Sequence, residues 1–470
     1  MPKSYLASEP GAQRAEQHGF DPYRQTWARL EAFRAMGHPL DKVELIVLGG
    51  TWSAYPLPYR RWFVLRCLEA LCEFGAVAEL PRERPEPFGS FEGLPAAAPG
   101  IYNETVSAHL RAHQDGRLRA PDEQASWAAL AQAQQRNEDA EVRCVGLSLE
   151  TRPDEIDEAE VLCLRGLGAT KIQLGIQSLS DEVLHRNQRG HDVAATRGAM
   201  TLLRAAGFKL HAHWMPNLLG SSPEADLEDF ERLFADPAIR PDELKLYPCS
   251  LVESAELMDH HRAGAWRPYD DAELLHVVSE GMRRTPRWCR LTRVVRDIPS
   301  PEIVLGNKRT NFREIAEAEL RRRGVALADV RAREIRDAGF EPSDLQLRET
   351  RYDTAVGIEC FLELVTPEDR IVAFVRLALP AAPSFVPELG SSAVIRELHV
   401  YGPTAGLGEA SGGRPQHGGL GRRLVEAARA RAVAAGHTRL AVISAMGTRA
   451  YYRRLGFRDG SLYQHLALES

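Results

Sequence analysis

The densest chemical motif in the chain is Gln416-His417-Gly418-Gly419-Leu420-Gly421-Arg422, which runs straight into the helix-forming segment RLVEAARARAVAAG. Glycine loses more conformational entropy on ordering than any other residue, so three of them at one helix start imply a use for bare backbone. Unshared N–H groups there converge on one point, and the helix macrodipole makes that point favour anions. A diphosphate is the group such a cradle suits; a loop that merely ends a strand is the alternative. Downstream, Tyr451 and Tyr452 precede an Arg-Arg-Leu-Gly-Phe turn, each a phenolic proton donor or a packed aromatic. Upstream, Glu397 in IRELHVYG can act as a general base if its pKa is raised, and His399, two residues on, shares its strand face. Either can instead be a structural hydrogen-bonding residue. Finally, Arg283, Arg284, Arg287, Arg290, Arg293 and Arg296 crowd around Trp288 in RRTPRWCRLTRVVR, a concentration that suits RNA phosphates and unpaired bases. Arg321 to Arg323, Arg331 and Arg333 extend it; a solvated, ion-paired face is the alternative.

These groups need positioning elements. Between about residues 43 and 299, the strand-like runs VELIVLGGT, RCVGLSLE, TKIQLGIQS, KLHAHWM, ELKLYP and CRLTRVV alternate with amphipathic helical segments. That alternation predicts right-handed βαβ units on a parallel sheet, either an incomplete barrel or an open doubly wound sheet. A Pro- and Gly-rich insertion at 79–100 reads as a surface loop. Residues 300–347 are charged and largely helical, and read as a linker. From about 348, GIECFLELV, RIVAFVRLAL and AVIRELHVY, then the glycine motif with its helix, then RLAVISAM, predict a separate α+β domain.

At 470 residues the chain exceeds one ordinary core. The net charge of −6 excludes a global basic field, so nucleic-acid contact has to be local. Seven cysteines, an odd number scattered through apolar runs, fit reduced thiols rather than a disulfide framework. Cys67 and Cys72 read as part of a buried helical face. No CxxC spacing occurs, so no metal or cluster cradle is expected. No apolar run reaches the roughly 20 residues of a membrane span and no signal-peptide core opens the chain, which gives a cytoplasmic expectation.

The stretch QHGGLGRRL, followed by VISAM and GTRAYYRRLGF, resembles the acetyl-CoA pyrophosphate loop and the following elements of the GNAT acetyltransferases. With IRELHVYG, and with SYLASEPGAQRA, FDPY, HPLDKVELIVLGGTW, LETRPDEI, LGIQSL, RGH, AGFKLHAHWMPN, LKLYP, RVVRDIPSP and VRAREI in order over nearly the whole chain, it resembles the catalytic subunit of Elongator and its bacterial and archaeal relatives. Those are tRNA wobble-uridine acetyltransferases. The resemblance implies an α/β architecture: a radical-SAM-type partial (β/α)6 barrel over 1–299, a linker over 300–347 and an α+β GNAT domain over 348–470. It implies transfer of an acetyl group from acetyl-CoA to C5 of the wobble uridine of tRNA, with tRNA-stimulated acetyl-CoA hydrolysis.

Carried over by position, acetyl-CoA falls to Glu397, Leu398, His399, Val400, Gln416 to Arg422, Tyr451 and Tyr452, one tyrosine protonating the departing thiolate. S-adenosylmethionine falls to Gly49, Gly50, Thr51, Glu150, Gln177 and Arg189. Lys245 and Tyr247 of LKLYP line the active cavity, with Lys245 orienting an intermediate or assisting proton transfer. The resemblance also implies a [4Fe-4S] cluster on a CxnCxxC segment. This sequence contains no such spacing, so no cluster is expected from these residues, and ALADVRAREI, lacking the cysteines of a zinc site, predicts no zinc. Asn217 replaces the family's usual Asp after Met-Pro, removing a carboxylate from the barrel mouth. Two other readings remain open: a protein lysine acetyltransferase, and a non-catalytic tRNA-binding protein with a degenerate barrel. The sequence does not decide between a homodimer and assembly with other subunits.

Overall fold

The structure, a computed structural model, describes residues 9–75, 123–296, 298–336, 339–401 and 419–468. Gln416, His417, Gly418 and the insertion at 79–100 lie outside the described residues.

Two sheets organise the chain. The first is parallel, with strands β1 (Lys42–Val47), β2 (Arg143–Thr151), β3 (Lys171–Gln177), β4 (Lys209–Trp214), β5 (Glu243–Leu246) and β6 (Arg290–Arg293) side by side in chain order. All six runs expected from the sequence are strands. β1 and β6 do not pair, so this is the incomplete barrel rather than a closed one. Short polar caps start the intervening helices. Ser180, Asp192 and Ser222 each accept from the backbone N–H three residues on, and Asp270 makes a full capping box with Glu273. Ahead of β1 lie helices α1 (Pro10–Gln17) and α2 (Pro22–Ala35), the second started by Asp21 capping before Pro22.

Barrel and C-terminal sheet are joined by a stretch that packs rather than dangles. Helix α3 (Phe312–Arg322) buries Phe312, Ala316 and Leu320 in the barrel's own core. The C-terminal sheet contains β7 (Gln346–Asp353), β8 (Gly357–Val365), β9 (Ile371–Pro380), β10 (Ala393–Val400), β11 (Arg439–Val442), β12 (Arg458–Asp459) and β13 (Gln464–Ala467), ordered β12-β13-β11-β10-β9-β8-β7. Helix α4 (Leu420–Ala434) lays Leu424, Val425, Ala428 and Ala432 on one face of it, and helix α5 (Arg449–Arg454) follows β11.

The other face of this sheet sits on the N-terminal ends of the barrel strands. Ala378, Val394, Ala441, Ile443 and Tyr463 belong to the same apolar cluster as the barrel core. Gly207, in the turn before β4, comes so near that an added Cβ would lie 2.9 Å from Val394 Cγ1. Buried charge binds the contact: Arg396 donates to Asp242 at 2.6 Å and lies 2.9 Å from Glu359, all three nearly without solvent exposure. Arg165 donates to the carbonyls of Leu462 and Ser444 at 2.9 and 2.8 Å. Tyr463 Oη donates to Ala206 O at 2.8 Å.

Candidate active site

Strand β10 is paired with β9 along its length but with β11 only through Ala393, Val394 and Ile395 at its start, so the two parallel strands part beyond Ile395. A β-bulge opposite Arg376 and Leu377 marks the point of departure. Into the resulting slot points the start of α4, with Gly419 in the left-handed conformation (φ 82°) and no heavy atom within 4 Å of where its Cβ would be. A Cβ on Gly421 would lie 2.5 Å from Tyr451 Oη and 3.7 Å from Leu398 Cδ2. Leu398, Gly421 and Tyr451 therefore meet at the slot, which brings β10, α4 and α5 to one place. The first turn of α4 carries no acidic side chain to occupy its N-terminus, and Arg422 is exposed beside it.

The geometry separates the two tyrosines. Tyr451 is half-buried with its hydroxyl at the helix start, whereas Tyr452 is buried against Phe457, ring centroids 5.5 Å apart. Burial raises both phenol pKa values.

Alternation along β10 turns Glu397 and His399 away from α4, toward the barrel. Glu397 accepts from Lys209 Nζ at 2.5 Å and from Arg376 Nε at 2.8 Å. The expectation of a raised pKa is corrected here: burial pushes the carboxyl up, but Lys209 and Arg376 outweigh it and hold it below the ordinary carboxylate value. His399 stacks on Phe374 with centroids 5.5 Å apart and contacts Tyr401 at 4.4 Å. His399 is nevertheless exposed to solvent, and the surrounding protein, more than the Lys209 and Arg290 charges, pulls its pKa below the ordinary imidazole value. Val400 is half-buried at the end of the same strand.

Above this floor the barrel lumen is polar where an ordinary barrel is filled with branched aliphatics. Lys171, Lys209 and Glu243 form its lowest layer, with Lys209 2.8 Å and Lys171 3.4 Å from Glu243. Higher, Lys245 Nζ donates to Gln173 Oε1 at 2.6 Å, and His213 Nε2 lies 3.0 Å from the same oxygen. Since that oxygen only accepts, His213 carries its proton on Nε2. Burial lowers the Lys245 pKa to about 8 and drives those of His211 and His213 well down. Tyr247 sits beside Lys245, its phenol raised to about 12 by burial. Glu150, at the upper end of β2, is 3.8 Å from His213 Nδ1.

At the mouth, β1 is followed, after Leu48, by Gly49 (φ 135°) and Gly50 (φ 103°), each with open space where a Cβ would be, and then by Thr51. Gln177 closes β3 with φ 63°, a conformation costly for a residue with a side chain and a common mark of ligand-facing strain. Its Oε1, the Nε of Arg189 and the Nδ1 of His191 are buried without a hydrogen-bond partner. These orphaned polar atoms, at the same end of the sheet as the open glycine turn, are what a polar ligand such as S-adenosylmethionine would satisfy. A cluster is another matter. The seven cysteines are all free, Cys67, Cys144, Cys249, Cys289 and Cys360 are buried with thiol pKa values raised by burial, and no group of three or more potential metal ligands exists among the described residues. They do not fit a [4Fe-4S] centre.

Asn217 follows the end of β4, and its amide is engaged in local structure. Its amide donates to Arg267 O and accepts from Tyr269 N, and its left-handed backbone (φ 65°) suits asparagine. A carboxylate would turn the first contact into repulsion between oxygens.

The arginine patch also needs correction. Arg283 pairs with Glu280, Arg284 with Glu231 and Arg296 with Glu9. Arg287 is held by Glu363 and Asp369 at 3.2 and 2.7 Å, Arg290 by Glu334 and Tyr401, and Trp288 stacks on Tyr352 at 4.3 Å. Arg287, Trp288 and Arg290 thus fasten the barrel to the C-terminal sheet. Of the six, Arg293 is exposed near the mouth, where its charge and a hydrogen bond partly offset the upward push of burial on the Tyr247 phenol. In the segment read as a linker, Arg333 donates to Glu363 at 2.5 Å and Arg331 to Thr292 O at 2.6 Å, so they too serve packing. Sequence reasoning missed Lys209, Glu243 and Arg376; the only signal was charge on the inward face of strands expected to be apolar.

Comparison with known proteins agrees with this architecture. Residues 241–322 match the Radical_SAM C-terminal domain family. A tRNA uridine(34) acetyltransferase of Methanocaldococcus infernus is 34% identical over 98% of this chain and 79% of its own length. Elongator complex protein 3 of Danio rerio is 33% identical over 97% of this chain and 75% of its own length. The solved archaeal Methanocaldococcus infernus Elp3 with N-terminus deletion (1-46) superposes with a TM-score of 0.81 at 33% identity, covering 98% of this chain and 97% of that one.

Proposed function

Because the chain belongs to the family of tRNA uridine(34) acetyltransferases and Elongator complex protein 3, we propose that it transfers the acetyl group of acetyl-CoA to C5 of the wobble uridine of tRNA. One observation carries this reading: the slot between β10 and β11 opens onto the α4 N-terminus on one face of β10, while the other face of the same strand closes the floor of a polar barrel. Diphosphate binds at the backbone N–H groups around Gly419 and Gly421, completed by the preceding Gln416 to Gly418, and the pantetheine arm follows Leu398 to Val400 along the unpaired edge of β10. Tyr451 stands where a thiolate departs and donates it a proton; Tyr452 supports it from the core. The thioester then faces Glu397 and His399.

The uridine enters from the opposite end, past Arg293 and the mouth. Lys245, with a pKa near physiological pH, exchanges a proton with the base or orients its carbonyl, and Gln173 with His213 fixes its ammonium in place. Gly49, Gly50, Thr51, Gln177 and Arg189, with Glu150 below them, would hold S-adenosylmethionine, whose reductive cleavage would require an electron donor beyond these residues. A protein lysine acetyltransferase would use the slot but leave the polar lumen without a purpose. The deciding experiment is acetyl-CoA hydrolysis with and without tRNA. Stimulation by tRNA but not by lysine-rich peptides supports the proposal; hydrolysis indifferent to tRNA overturns it.

A further inference from the structure

Lys209 belongs to the barrel by sequence, at the first position of β4, yet its ammonium sits between two carboxylates from different domains. Glu243 of β5 lies 2.8 Å away and Glu397 of the acetyltransferase sheet 2.5 Å away. The three side chains are 16%, 6% and 10% exposed, so little water screens them. Lys171 continues the alternation from Glu243 to Glu44 at the β1 edge, at 3.4 and 2.5 Å. Glu243 is thus shared by two lysines and also lies 3.4 Å from His211 Nδ1. Its Oε2 faces Lys171 and His211, each at 3.4 Å, and its Oε1 faces Lys209 at 2.8 Å, so both oxygens of the carboxylate are engaged by lumen side chains.

We propose that Lys209 is a positioning residue for acyl transfer, supplied by the barrel: it holds the Glu397 carboxylate ionised and turned into the space between the thioester slot and the lumen. This rests on the reading of the slot as the acetyl-CoA site. The acetyltransferase sheet alone then has an incomplete site, because the cation that fixes its inward carboxylate comes from the other domain. Arg376 of β9 supplies the second cation, at 2.8 Å. Other charged or titrating groups facing Glu397 are Glu243 of β5, His399 of its own strand and Arg290 of β6, together with the hydroxyls of Tyr401 and Tyr452. Arg376 is locked to Asp242 and Glu397 in the interface, and Arg290 to Glu334 and Tyr401. Lys209 is the cation shared directly between Glu397 and a lumen carboxylate.

The test is the pH dependence of acetyl-CoA hydrolysis by the full chain, alongside calorimetric binding of CoA. Lys209→Met is expected to lower kcat about tenfold or more, leave the KM for acetyl-CoA within about twofold, and move the acid limb of kcat up by about one pH unit or more, as loss of an adjacent cation does to a carboxylate. Lys209→Arg should restore the limb, and Glu397→Gln should abolish it. A merely structural role would lower the whole profile without displacing it, and that result overturns the proposal. If Lys209→Met does not fold, Glu243→Gln decides: freeing Lys209 for Glu397 should move the limb down, and an unmoved limb overturns the proposal. Wild-type protein that neither binds CoA nor hydrolyses acetyl-CoA would sink the reading of the slot itself. Wild type that does both, with a limb insensitive to position 209, would sink only the role of Lys209.

Discussion

At the scale of single residues, the slot turns on Gly421. A methyl group there falls 2.5 Å from the Tyr451 hydroxyl, a clash relieved only by moving the phenol. Gly421→Ala should therefore raise the KM for acetyl-CoA about tenfold while unfolding at or above the wild-type temperature, because alanine in a helix gains up to about 1 kcal/mol over glycine. The tyrosines should part company in the same assays. Tyr451→Phe is expected to lower kcat by about tenfold to a hundredfold with stability unchanged, and Tyr452→Phe to leave kcat within about threefold. Lys245 sets a second pH signature. Burial lowers its pKa to about 8, so the neutral amine grows as pH rises through 8 and the ammonium dominates below. If the amine is the acting form, tRNA acetylation should climb between about pH 7 and 9, and Lys245→Arg should lose that climb; single-turnover acetylation of tRNA across that range checks it.

Among the elements, the six barrel strands and the glycine-led helix were readable because their patterns are local: β-branched runs between helical periods, and a motif touching a helix start. Partners across domains are not local. Arg287 and Arg290 look from the sequence like an RNA-binding cluster, since nothing near them in the chain announces Glu363, Asp369 or Glu334. Asp242 was equally silent, one polar residue before a strand. Burial pushes its carboxyl up, but Arg396 and Arg376 outweigh this and depress it below the ordinary range. A carboxylate with a depressed folded pKa contributes stability that is present above its unfolded value of about 4 and fades as pH falls through the folded one. Asp242→Asn should cost about 3–5 kcal/mol in denaturant unfolding at pH 7, by leaving buried arginines uncompensated. The variant should then lose less further stability than wild type below about pH 4. Reversing Arg287 should likewise loosen the domain contact, so weaker tRNA binding in Arg287→Glu would have to be judged against its melting temperature.

For the molecule as a whole, the order of domains was legible and their union was not. Sequence reading divides the chain at 299 and 348, but apolar residues of both parts pack in one cluster, and the helix Phe312–Arg322 contributes to the barrel core. Residues 348–470 expressed alone should expose Val394, Ile443 and Tyr463 along with Arg376 and Arg396 deprived of Asp242, each left with only its partner Glu397 or Glu359. They are expected to aggregate or to melt without a cooperative transition, as circular dichroism and sedimentation would show. The turn at Gly207 has a bearing on anyone who wishes to tag, label or permute this protein. Where one methyl would strike Val394, a fluorophore has nowhere to go, whereas Gly11 and Gly198 have clear surroundings and no left-handed backbone, and a label there should not prise the two halves apart.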